Sequence, residues 1–145
     1  MEAQEVDFAV ISEDYSRYLL HDGTQLKVKI VLKKIFFAPV STPEGYPSNV
    51  GLDTMNAIVA IVPHSLKRKP SNDFNQNVDK GTEIKFEEGE VKMQEYMTTK
   101  GFRVSIKPVL LKVFKYDKYN SYGEPIYNAV IQSITNIDKI QSTAT

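Results

Sequence analysis

The chain has 145 residues, 41% hydrophobic and 25% charged, the make-up of one ordinary globular domain (1–145) rather than a disordered segment. Its 18 basic and 18 acidic side chains cancel, so no global field draws in nucleic acid or an anionic membrane. With no cysteine, disulfides, thiolate catalysis, iron–sulfur clusters and cysteine-ligated zinc are excluded.

In chain order, the N-terminal MEAQEVDFAV is acidic and lacks the basic start and apolar stretch of a signal peptide. No apolar run approaches the roughly 18–20 residues that a bilayer-spanning helix needs. Together with the absence of disulfides, this sets a cytoplasmic location and no membrane association as the expectation. Val6, Phe8 and Val10 alternate with Asp7 and Ala9, the period of a half-buried strand. A second short run, Ser16–Leu20, meets His21-Asp22-Gly23 and then the long run Thr24–Phe37. Gly after Asp between extended runs predicts a hairpin, because glycine takes positive φ without a steric cost.

Within Thr24–Phe37 the apolar face changes phase. Leu26, Val28, Ile30 and Leu32 give way to Val31, Lys33, Ile35 and Phe37. That pattern predicts a bulge or a bend between sheets. A Pro- and Gly-punctuated loop, Ala38–Met55, then leads into NAIVAIV at 56–62, which ends before Pro63. Ser65–Thr82 is polar and reads as a connector, mobile at its centre.

Past the connector the pattern repeats. Residues 6–36 align without a gap on 84–114, and eight of the 31 pairs are identical: Phe8/Phe86, Tyr18/Tyr96, Gly23/Gly101, Lys29/Lys107, Val31/Val109, Leu32/Leu110, Lys34/Lys112 and Phe36/Phe114. The phase switch recurs at 104–113, with Pro108 expected at a bulge or sheet edge because it has no N–H to donate. NAIVAIV matches NAVIQSI at 128–134 if six residues are dropped from the preceding loop. Ile134, Ile137 and Ile140 suit either a strand or a short helical turn.

These features predict an all-β domain, minor helix allowed, of about six to eight strands. It would be an internally duplicated barrel or sandwich with pseudo-two-fold symmetry, with repeat halves 6–64 and 84–140 joined by the connector 65–83.

The chemistry is sparse. His21 and His64 lie in no metal-binding spacing, and no nucleophile elbow, phosphate loop or dinucleotide fingerprint is present. The acidic runs Glu13-Asp14 and Glu87-Glu88 read as solvated turns. No catalytic residue, metal or cofactor is assigned. The least bland stretch is KYDKYNSYGEPIY, read as a loop at 115–127, where Lys115, Tyr116, Lys118, Tyr119, Tyr122 and Tyr127 interleave cations with aromatics. Together with Tyr46 of the first loop, these are the candidate binding residues. Such a surface can cap the barrel, contact a protein, or stack single-stranded bases. The favoured expectation is a non-enzymatic binding or assembly module that contacts a protein partner or a second copy of itself through its long loops. The alternatives are a small-molecule or enzyme site between the halves, and, less favoured, single-stranded nucleic acid bound at the Lys/Tyr-rich loop.

Overall fold

Alternating apolar residues bounded by Gly turns produce strands almost throughout the computed structural model, which describes residues 3–140. The first half contributes β1 (Gln4–Val6), β2 (Phe8–Ser12), β3 (Ser16–Leu20), β4 (Gln25–Phe37) and β5 (Val50–Ile61). The second contributes β6 (Thr82–Ile84), β7 (Phe86–Glu88), β8 (Gln94–Thr98), β9 (Phe102–Tyr119) and β10 (Pro125–Lys139). No α-helix occurs among the described residues, and His64–Leu66 forms a single 3₁₀ turn. The stretch around Ile134 and Ile137 is therefore strand, and Ile140 follows it.

All pairings are antiparallel and form two sheets. In sheet A, β4 is flanked by β5 along one side and by β3 and β1 on the other, with β7 beyond β3. In sheet B, β9 is flanked by β10 on one side and by β8 and β6 on the other, with β2 beyond β8. Neither sheet closes into a barrel. The sheets instead pack face to face. One core cluster joins Val6, Ile30, Leu32 and Ile35 of sheet A to Tyr96, Val104 and Ile106 of sheet B. A second joins Tyr18, Leu26 and Val28 to Leu110 and Val113. Residues 4–12 pass from sheet A to sheet B at Asp7, and residues 82–88 pass the other way at Lys85. Counting each bent pair as one strand turns ten strands into eight.

The pairings of one sheet recur in the other 78 residues on. Gln4 opposite Phe37 becomes Thr82 opposite Lys115, and Ser16 opposite Val28 becomes Gln94 opposite Ile106. Leu20 opposite Phe86 has its counterpart in Thr98 opposite Phe8. The expected phase switch is a bulge in each case, at Lys33 between Leu32 and Lys34 and at Leu111 between Leu110 and Lys112. Gly23 and Gly101 take φ of 93° and 83° in the two short hairpins.

Two expectations need correction. Phe37 faces Val50 whereas Lys115 faces Tyr127, so β10 follows β5 by 77 residues and the loop shortens by one residue, not six. NAIVAIV therefore corresponds to 133–139, and its likeness to NAVIQSI is not the structural match. The stretch 115–127 is also not a loop. Tyr, Phe and Val alternate with charges up to Tyr119 and suit a strand, so β9 runs on and only Asn120–Glu124 turns.

The bent strands leave a gap beside each long strand. On that side of β4, β3 covers 25–28 and β1 covers 35–37, so 29–34 have no strand neighbour. Buried N–H groups there need other partners. Ile30 N–H donates to Gln94 Oε1 at 3.0 Å and Leu32 N–H to the Tyr96 hydroxyl at 3.1 Å, both from the facing sheet. The Tyr96 hydroxyl in turn donates to Glu13 at 2.7 Å, and the Gln94 amide donates to the Asp14 carbonyl at 2.8 Å. The equivalent gap in β9 is simpler. Tyr18 meets the backbone amide of Leu110, and the position equivalent to Ile30 is Pro108, which has no N–H to satisfy. Ser16 accordingly stands where the other half needs Gln94. Burial, and then Glu13, push the Tyr96 hydroxyl well above its ordinary 10.0, so it stays a proton donor to the carboxylate.

Tyr96→Phe leaves the Leu32 N–H unpaired inside the core. The expected cost is about 1–3 kcal/mol, read as a lower midpoint with an unchanged slope in urea unfolding. An unchanged midpoint would show that the hydroxyl does not carry that amide.

Candidate functional site

The six candidate residues of the second half lie on the far end of the β9–β10 hairpin. Lys115, Tyr116, Lys118 and Tyr119 are on β9, Tyr122 is in the turn and Tyr127 is on β10. Side-chain alternation splits them. Tyr116 is buried, 7% exposed, with its ring edge-on to Phe74 at 5.0 Å. Tyr122 is 76% exposed at the tip. Tyr46 is elsewhere. It packs on Phe102, ring centres 5.6 Å apart, and accepts from the Lys139 N–H at 3.3 Å. From Phe102 to Tyr116 is roughly 45 Å of strand. Among the described residues, two of the main surface clefts touch the 115–129 hairpin and a separate one touches the 38–47 loop.

The connector is held against this hairpin. Arg68 N–H donates to Gly123 O at 2.8 Å, and Ser71 and Tyr119 exchange bonds of 2.9 and 3.1 Å. Lys118 Nζ reaches Asp73 at 2.7 Å and Asp79 at 4.0 Å. Gly81 is required by packing: a Cβ there would lie 2.9 Å from both Phe114 and the Tyr116 ring. Half of the Lys/Tyr set therefore serves the connector, a role that spacing alone gave no sign of.

A polar cluster ties this hairpin to the β3–β4 turn. The Tyr127 hydroxyl donates to Asp22 at 2.6 Å and lies 2.9 Å from Thr24 Oγ1. Lys115 Nζ is 2.9 Å from the same Asp22 oxygen, and Thr24 N–H caps the other at 2.9 Å. Burial works against ionised Asp22, but the bonds from Tyr127, Lys115 and Thr24 outweigh it and hold its pKa below the ordinary 3.8. Burial, and then the bond to Asp22, push the Tyr127 hydroxyl well above its usual 10.0. Neither group is poised to exchange a proton near neutrality.

Beside this cluster opens a cleft of about 530 Å³. Lys80, Lys85, Lys115 and His21 line it with Tyr116 and Tyr119, and Glu83 and Asp117 sit at its wall. Among the described residues, no three His, Cys, Asp or Glu side chains converge as a metal site would require.

The longest exposed feature was not among the candidate residues. β5 and β10 are edge strands of 12 and 15 residues, each paired on one side only. β5 carries a single charge, Asp53, and no proline, while Met55, Ile58, Val59 and Ile61 are all at least 39% exposed. β10 has no charge from Ile126 to Ile137, with Val130 and Ile134 exposed. The apolar residues of β5 were legible in NAIVAIV. Ile58, Val59 and Ala60 of this run also line a cleft of about 650 Å³ with Tyr127, Asn128 and Ala129 of β10 in the same chain, a placement set by topology.

No protein-family model matches this chain, and no curated protein or solved structure matches it either.

The Asp22 cluster yields a pH prediction. Because its pKa is depressed on folding, Asp22 stabilises the fold fully above the ordinary 3.8, and that contribution disappears as pH falls through the folded-state value. Asp22→Asn should therefore lower the thermal midpoint at pH 7 and flatten the midpoint's decline below about pH 4. Parallel curves for the two proteins would remove Asp22 from the account.

Proposed function

We propose that the protein is a non-enzymatic assembly module that associates through its long free strand edges. The observation that carries this reading is that β5 and β10 lack the devices that normally keep edges apart. Inward charges, prolines and short length protect most natural edges, and the other strands paired on one side only, β1, β2, β6 and β7, have three to five residues, with β7 also bearing Glu87 and Glu88. The backbone supports it as well. Ile30 N–H is engaged by Gln94 on the gap side of β4, so its neighbour across the ladder, Asn56, turns its own N–H outward, as does Ile58 two residues on. The matching registers of the two sheets support a further element of the proposal, that the halves are an internal duplication about a pseudo-two-fold axis, descended from a pair of identical units. Tyr122 at the hairpin tip is open to the same partner, and a cytoplasmic setting agrees with a chain free of cysteine. Among the described residues no helix is long and apolar enough to cross a membrane.

Sedimentation of the full chain over a range of micromolar concentrations tests this. The mass should rise above the 16.4 kDa monomer, and Ile58→Lys should hold it at monomer while leaving the thermal midpoint within a few degrees. A wild-type chain that stays monomeric throughout removes the assembly reading.

A second reading rests on the cleft beside Lys115. Lys80 and Lys85 beside the Tyr119 ring suit an anionic ligand with a stacking face, such as a single-stranded oligonucleotide, although Tyr116 is engaged by Phe74 and Lys115 by Asp22. Anisotropy of a labelled oligonucleotide should then rise at low salt, fall as salt increases, and weaken in Lys85→Glu. No change at low salt sinks this reading.

A further inference from the structure

The two free edges are not only exposed; they fit each other. We infer that β5 of one chain pairs antiparallel with β10 of the next, with Ile58 opposite Ile131 of the partner subunit, an inference that rests on the assembly reading above.

The backbone restricts the register first. In β5 the even-numbered residues, Thr54 to Ala60, turn their amides away from β4, because Ile30 and Leu32 opposite them spend theirs on Gln94 and Tyr96. In β9 the matching register puts Pro108 and Leu110 where Ile30 and Leu32 stand, opposite Ser133 and Ile131, which leaves the odd-numbered residues of β10 facing outward. Hydrogen-bonded pairing between chains therefore requires even residues of β5 opposite odd residues of β10. That parity also keeps the core-facing side of one sheet continuous with the core-facing side of the other.

Side chains then choose among the allowed registers. With Ile58 opposite the partner's Ile131, the core-facing row sets Leu52 against the partner's Ile137 and Thr54 against the partner's Thr135. On the outer row, Met55 meets the partner's Ile134, Val59 the partner's Val130, and Asp53 the partner's Asn136. In these pairs apolar faces apolar and polar faces polar; Ala57 meets the partner's Gln132 and Ile61 the partner's Asn128, and no two like charges are opposed. Sliding by two residues in one direction sets Asp53 against the partner's Asp138, and in the other direction Asn56 against the partner's Ile131. A directly opposed like-charge pair is destabilising. Pairing β5 with its own copy, also kept core face to core face, sets Asp53 against Met55, Ala57, Val59 or Ile61 according to register, an apolar residue each time. The favoured contact is head to tail. It leaves each chain with one further β5 or β10 edge free, so it propagates into a ring or a filament.

Because the chain has no cysteine, the register can be read covalently. Met55→Cys and Ile134→Cys are prepared separately, one carrying a mass tag, then mixed and oxidised. Both positions are half exposed, so neither change empties the core. The expected product is a disulfide dimer containing one chain of each kind, formed in the mixture in preference to either homodimer. Homodimers of Met55→Cys alone, or no cross-link in a mixture that still sediments above monomer mass, overturn this pairing and leave the assembly reading in place. A monomer at every concentration overturns both.

Discussion

The structure depends on how it satisfies backbone amides where strands change sheets. When β1 turns into β2 and β6 into β7, β4 and β9 each lose a neighbour in mid-length. An unpaired buried amide costs about 1–3 kcal/mol, a large part of the margin of a domain this size. The two halves answer differently. One brings Gln94 and Tyr96 across the core to Ile30 and Leu32. The other deletes one donor with Pro108 and needs only Tyr18. Interior side chains thus do for the gap what a strand would otherwise do, and they fasten sheet A to sheet B with directional bonds as well as apolar contact.

Much of the frame was legible in the residues. The Gly23 and Gly101 hairpins, the bulges at Lys33 and Leu111, and the all-β character follow from local rules of φ, phase and propensity. The placement of NAVIQSI was misread because short apolar runs of similar composition align in several registers, and only cross-strand pairing chooses between them. Pro108 was expected at a bulge or a sheet edge; it lies where β9 has no strand neighbour on one side, in a buried gap that no local pattern reveals. Closure into a barrel was equally undecided by sequence, since it turns on whether β5 and β10 find neighbours.

The Lys/Tyr-rich stretch shows why residue type is a poor guide to a site. Composition singled out Tyr116 and Lys118, yet Tyr116 lies against Phe74 and Lys118 against Asp73, both in the connector. A polar segment folded back on a strand end occupies the side chains that seemed free. Exposure gathers instead on β5 and β10, whose sequences are ordinary for strands.

The exchange of β2 and β7 between sheets also has a consequence for synthesis. Phe8 pairs with Thr98, so an early strand must wait for a segment 90 residues further on. At the usual pace of translation that delay is on the order of 5–20 s. During it Phe8 lacks both its ladder and the Tyr96 ring that it packs against in the finished fold. The strand order thus fixes the order of events: β2 can join its sheet only after β8 has been made.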